Sequence, residues 1–75
     1  MMSNSIVTMP HRHTVRYEDD DLVIDFEVEL LQQGIVFYKK SAKLVKGYLS
    51  DTKSIEDQVE SWLRSKFSDV EIDFT

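Results

Sequence analysis

From Leu22 to Leu30 the chain alternates without a break: Leu22, Ile24, Phe26, Val28 and Leu30 share one parity, and Val23, Asp25, Glu27 and Glu29 the other. A period of two is the signature of a strand with one buried and one wet face. Thr14-Val15-Arg16-Tyr17 alternates in the same way, and Glu18 to Asp21 forms a polar turn that returns the chain antiparallel onto strand 22–30. With four residues in that turn, Tyr17 faces Leu22, Val15 faces Ile24 and His13 faces Phe26. After Gln32-Gln33-Gly34, where a glycine suits the positive φ of a tight hairpin, Ile35-Val36-Phe37-Tyr38 opens another β-rich run. The segment 41–49 fits either period. Leu44, Val45, Tyr48 and Leu49 could share a helical face, but Gly47 and the β-branched and aromatic content favour a strand.

The helical period is plain farther on. Ile55, Val59, Trp62, Leu63 and Phe67 recur at helical spacing, Ser54 is suited to the N-cap, and Glu56 and Asp57 lie in the first turn, where the helix dipole favours negative charge. The pattern predicts a helix over 54–67 with Trp62 in the core. Val70, Ile72 and Phe74 then alternate with Glu71 and Asp73 as a closing strand. The order β-β-β-(β)-α-β predicts an α+β domain: a small antiparallel sheet of three to five strands with one helix on one face. No repeat or linker divides the chain, so 1–75 reads as one domain, with 1–10 loosely ordered.

Composition narrows the field. The 75 residues include 41% apolar side chains, two glycines and one proline, enough to escape the disordered class. A core this small supplies only roughly 3–5 kcal/mol of net stability, so a partner or a homodimer is a natural supplement. The absence of cysteine excludes disulfides and thiolate metal sites. No stretch approaches the ~18 consecutive apolar residues of a membrane span, and the first ten residues lack the features of a signal peptide. The expected location is the cytoplasm, with no membrane association.

The net charge of −5 is distributed in blocks: two arginines against seven acids in 1–38, seven basic residues against four acids in 39–66, then three acids. Seven carboxylates fall within residues 18–30. Asp25, Glu27 and Glu29 are spaced about 6.8 Å apart on one strand face, and cross-strand pairing with Arg12, Arg16 and Lys40 would relieve their repulsion. Lys40 is expected opposite Asp25 or Glu27. Such a face is most simply a solvated, paired surface, and its functional reading is a protein-binding surface of Glu18, Asp19, Asp20, Asp21, Asp25, Glu27 and Glu29. Consecutive acids without a glycine or a distal glutamate do not make a calcium loop.

Two further constellations have competing readings. Tyr38, Lys39, Lys40, Lys43 and Lys46 interleave cations with an aromatic ring, as single-strand nucleic-acid surfaces do, yet lysines also serve to blunt edge strands. His11 and His13 share a strand parity and could offer nitrogens to zinc or nickel, or serve in catalysis, but His13 falls on the apolar parity of Val15 and Tyr17 and suits a partly buried edge histidine. No nucleophile motif, phosphate loop or metalloprotease spacing is present. The sequence therefore predicts a non-enzymatic protein-interaction module without cofactor or metal, whose partner has a basic surface. The alternatives are a nucleic-acid-binding module, disfavoured by the net charge, and a small histidine-based metal protein.

Overall fold

A computed structural model describes residues 5–48 and 52–74. Five strands lie side by side in chain order: β1 (Ile6–His11), β2 (Thr14–Glu18), β3 (Val23–Leu30), β4 (Ile35–Lys46) and β5 (Val70–Asp73), with one helix, α1 (Lys53–Lys66), between the last two. The fold is α+β with the order β-β-β-β-α-β. The sheet is mixed: β1 to β4 pair antiparallel, whereas β5 joins β4 in parallel, with Ile35 opposite Val70 and Tyr38 opposite Asp73. The helix is the reason. It returns the chain to the end of the sheet where β4 begins, and a strand that follows such a crossover must run parallel to its neighbour.

Several boundaries differ from the sequence expectation. Residues 6–10, expected to be loosely ordered, belong to β1, with Val7 and Met9 packed against the core; residues 1–4 lie outside the described residues. Their alternation with Ile6 and Thr8 is present in the sequence, and Pro10 disguised it. The register slips by one residue between Thr8 and His11, so Met9 and Pro10 together oppose Val15, and a bulge in an outer strand is where proline is tolerated. Residues 35–38 and 41–46, expected as two runs, form the single strand β4; Leu49 is outside the described residues. The β2–β3 register is shifted by two: Val15 faces Phe26 and Tyr17 faces Ile24, because the loop comprises residues 19–22. An even shift keeps every side chain on its predicted face.

The core lies between α1 and one sheet face. Val15, Ile24, Phe26, Val28, Ile35 and Phe37 pack on Ile55, Val59 and Leu63, with the Phe26 and Phe37 rings edge to face at 5.5 Å. The helix begins one residue before the predicted start: Thr52 is the N-cap, and Ser54 lies exposed in the first turn. Trp62 is only partly buried at the rim, with the Lys66 ammonium 5.7 Å from its ring; Leu63 holds the central place expected of it. Gly34 has no positive φ; among the described residues only Gly47 has one, at 99°. What Gly34 provides is room, since a Cβ there would lie 2.3 Å from the Asp69 carbonyl oxygen.

Candidate functional site

Alternation leaves one sheet face to α1 and one face open. Reading across the paired strands, the open face has four rows: Glu71, Val36 and Glu29; Asp73, Tyr38, Glu27 and Thr14; Lys43, Asp25, Arg16 and Thr8; and Lys46, Val23, Glu18 and Ile6. The first two rows concentrate Glu27, Glu29, Glu71 and Asp73 around Tyr38. The last two mix both signs.

The expected acidic surface is thus divided. Asp25 is engaged by Arg16, whose Nε and Nη2 donate to the two carboxylate oxygens at 2.7 and 3.1 Å; Arg16 lies on the acidic face as expected, but the two-residue change of register sets it opposite Asp25 rather than Val23. At one end of the sheet, Asp19 is a structural residue. Its Oδ1 accepts the backbone N–H groups of Asp21 and Leu22 at 2.8 and 2.9 Å, and its Oδ2 accepts the Tyr17 hydroxyl at 2.8 Å. The Asp21 amide, then the Tyr17 hydroxyl, hold its carboxyl below the usual carboxylate range, while burial and Asp19 push the Tyr17 phenol up to about 12. Asp20 and Asp21 remain exposed at the loop tip, with Glu18 beside them on the open face. Glu29 stands at the other end of β3, about 20 Å from Val23 at ~3.3 Å per residue. Glu71 and Asp73 complete that distant cluster. Sequence reasoning missed them, because nothing local shows that β5 lies next to β4.

Tyr38 belongs to this acidic end. Its hydroxyl donates to Glu29 Oε1 at 2.9 Å, and that bond, partial burial and the charges of Glu29, Asp73 and Glu27 raise its pKa. Among the described residues, Glu27, Glu29 and Glu71 enter no ion pair.

The lysine run is dispersed by a wide bulge in β4. Tyr38 pairs with Glu27 and Lys43 with Asp25, so four residues, Lys39 to Ala42, loop out opposite Phe26. The Ser41 hydroxyl repairs the broken ladder: it accepts the Glu27 N–H at 2.7 Å and donates to the Tyr38 carbonyl at 2.6 Å. The bulge also turns two consecutive lysines toward α1. Lys39 Nζ donates to Glu60 at 2.9 Å and Asp57 at 3.2 Å, and Lys40 Nζ lies 3.6 Å from Glu56. Glu60 chiefly, then Asp57, raise the Lys39 pKa, and Lys39 lowers that of Glu60. Glu56 itself is buried and also accepts the Thr52 hydroxyl at 2.8 Å, the partnering a buried carboxylate requires. Lys40 therefore faces neither Asp25 nor Glu27. Lys43 and Lys46 stay on the open face, opposite Asp25 and Val23.

His11 ends β1 and His13 lies in the tight turn, Arg12-His13, that leads to β2, and both histidines are exposed; His13 is not the partly buried edge residue its parity suggested, since β2 begins only at Thr14. A hollow of about 350 Å³ beside the bulge is lined by His13, Asp25, Glu27, Ser41 and Lys43, but Ser41 is committed to the backbone and the charges have both signs. Among the described residues no three histidine or carboxylate side chains are placed to hold a metal ion, and no helix is long and apolar enough to cross a membrane. No protein-family model, curated protein or solved structure matches the chain.

Proposed function

We propose that the chain is a non-enzymatic, cytoplasmic interaction module that receives a cationic segment of another protein on the open sheet face, at Glu27, Glu29, Glu71 and Asp73 around Tyr38. One observation carries this reading: α1 covers a single face, and the opposite face gathers four carboxylates at one end, three of them outside every ion pair among the described residues. Focused negative potential of this kind steers a basic partner and sets its register. The half-buried Tyr38 ring supplies apolar contact between the charges. Asp20 and Asp21, at the other end of β3, act only as long-range attractors. Nucleic acid fits less well, because Lys39 and Lys40 are taken by the carboxylates of α1.

A titration of the amide spectrum with an oligolysine peptide tests this. Shifts should centre on Glu27, Glu29, Tyr38 and Glu71 and fade with salt. Glu27→Gln with Glu29→Gln should weaken binding roughly tenfold, at about 0.7 kcal/mol for each exposed charge. Shifts confined to residues 19–21, or a stronger response at Lys43 and Lys46 to a single-stranded oligonucleotide, would refute it.

A further inference from the structure

The outer edge of β1 differs from the rest of the perimeter. β1 pairs with β2 through Ile6, Val7 and Thr8, opposite Glu18, Tyr17 and Arg16, and it is the first strand of the sheet. From Ser5 to Pro10 it has no ionisable side chain. Elsewhere charge is never far: Glu71 and Asp73 on β5, Glu18 at the end of β2 with Asp19 to Asp21 in the loop after it, and Asp57, Glu60 and Arg64 on α1. Outer strands are ordinarily guarded by lysine, by inward-facing charge or by a bulge. Among the described residues β1 has only the bulge at Met9 and Pro10, which guards its later part and leaves the register regular up to Thr8.

We propose that Ser5–Met9 is the docking edge for a second copy of this chain, through antiparallel β1–β1 pairing about a twofold axis that continues the sheet. A twofold axis beside Val7 sets Val7 against Val7 of the second copy, Ile6 against Thr8 and Ser5 against Met9, and it leaves Pro10, which has no N–H to give, outside the paired segment. The side chains fit this register. On the core side, Val7 and Met9 are only partly buried; Val7 meets Val7 of the second copy, and Met9 meets its Ser5. On the open face Ile6, which is 60% exposed, is covered by Thr8 of the second copy.

The charges agree with this occupant. The row ending in Glu18 and Ile6 runs on into Thr8 and Arg16 of the second copy, so the nearest charges across the seam have opposite signs. They stand three strand spacings apart, about 14 Å at ~4.8 Å each. At the other edge of the sheet, β5, a second copy paired in the same way would bring Glu71 and Asp73 against their own counterparts. A five-residue strand pair falls below the ~1,200 Å² of a standard interface, so the dimer is weak and reversible. Since its contacts are apolar and backbone, it should persist in high salt, unlike the binding proposed for the carboxylate face.

The test is sedimentation equilibrium of the full chain, with amide spectra recorded over a dilution series that reaches millimolar concentration. The mass should rise towards twice the monomer, with concentration-dependent shifts in Ser5 to Met9 that survive added salt. Ile6→Lys, which sets an exposed ammonium beside Glu18, should keep the parent melting curve and remain monomeric. Should that variant melt early, the shift map of the parent chain decides by itself. A monomer at every concentration would overturn the proposal and leave the edge to a strand from another protein. Dimerisation undiminished in folded Ile6→Lys, or shifts centred on Tyr38, would overturn it as well.

Discussion

Replacing Gly34 by alanine separates two reasons for a glycine. In a hairpin that needs positive φ, Gly34→Ala is costly and Gly34→Asn cheaper, because asparagine visits the left-handed region more readily. The structure gives the other reason. Gly34 is free of positive φ, and an added Cβ would meet the Asp69 carbonyl oxygen at 2.3 Å and its Cβ at 2.9 Å. Reaching ordinary contact at 3.4 Å means a displacement of about 1.1 Å. The obstacle is backbone, held by the Ile35 N–H that donates to the same Asp69 oxygen at 3.0 Å, so it cannot swing aside like a side-chain tip. Overpacking of this kind costs about 1–3 kcal/mol, and weakening the Ile35 bond adds about 1. Reduced freedom of the unfolded chain returns about 0.4–1. The net is a loss of about 2 kcal/mol, half of what a core this size supplies, or roughly 8–16 °C in melting temperature. Urea unfolding of the parent, Gly34→Ala and Gly34→Asn, with exchange of the Ile35 amide, measures it. Asparagine should be no better than alanine, and the Ile35 amide should exchange faster in both. A Gly34→Ala variant within about 0.5 kcal/mol of the parent, or an asparagine variant clearly more stable than the alanine one, would refute the close-approach account.

Other perturbations follow the same geometry. Leu63→Ala, at a site with no exposed surface, should cost about 2–5 kcal/mol and abolish cooperative unfolding near room temperature, whereas Trp62→Ala at the rim should leave a measurable thermal transition. Ser41→Ala removes the hydroxyl that accepts from the Glu27 N–H and donates to the Tyr38 carbonyl and should cost about 1–3 kcal/mol, with exchange at the Glu27 amide as the specific readout; unchanged protection there would show that the bulge holds without it. Asp19 has a depressed folded pKa, so its contribution is present above the ordinary value of 3.8 and is lost as pH falls below it; the stability gap between the parent and Asp19→Ala should close on acidification. Tyr17, raised to about 12, stabilises fully below the ordinary value of 10 and loses its contribution as pH rises through 12. Absorbance titration of Tyr17→Phe should lack the component near 12.

Much of the architecture follows from local pattern alone. The alternation at 14–17, 22–30 and 70–74 and the helical stripe from Ile55 to Leu63 state their periods plainly, and a period fixes which residues face inward whatever the register. For this reason the core residues of β2 and β3 stand on the expected face although their pairing is displaced by two positions, and Arg16 stays on the acidic face, where the displaced register sets it against Asp25 instead of Val23. Chain-distant contacts are another matter. That β5 lies beside β4, and so brings Glu71 and Asp73 to Glu27, Glu29 and Tyr38, is set by where α1 sends the chain. That Lys39 and Lys40 both turn to the helix follows from a bulge whose stabilising hydroxyl, Ser41, bonds a backbone amide fourteen residues away. Gly34 is explained by Asp69, thirty-five positions on. A sequence states the preference of each residue for its neighbours one to four places along, and this decides element and face. Which charges meet depends on loop closure and crossover, where the energies of many weak alternatives nearly cancel until the whole sheet is assembled.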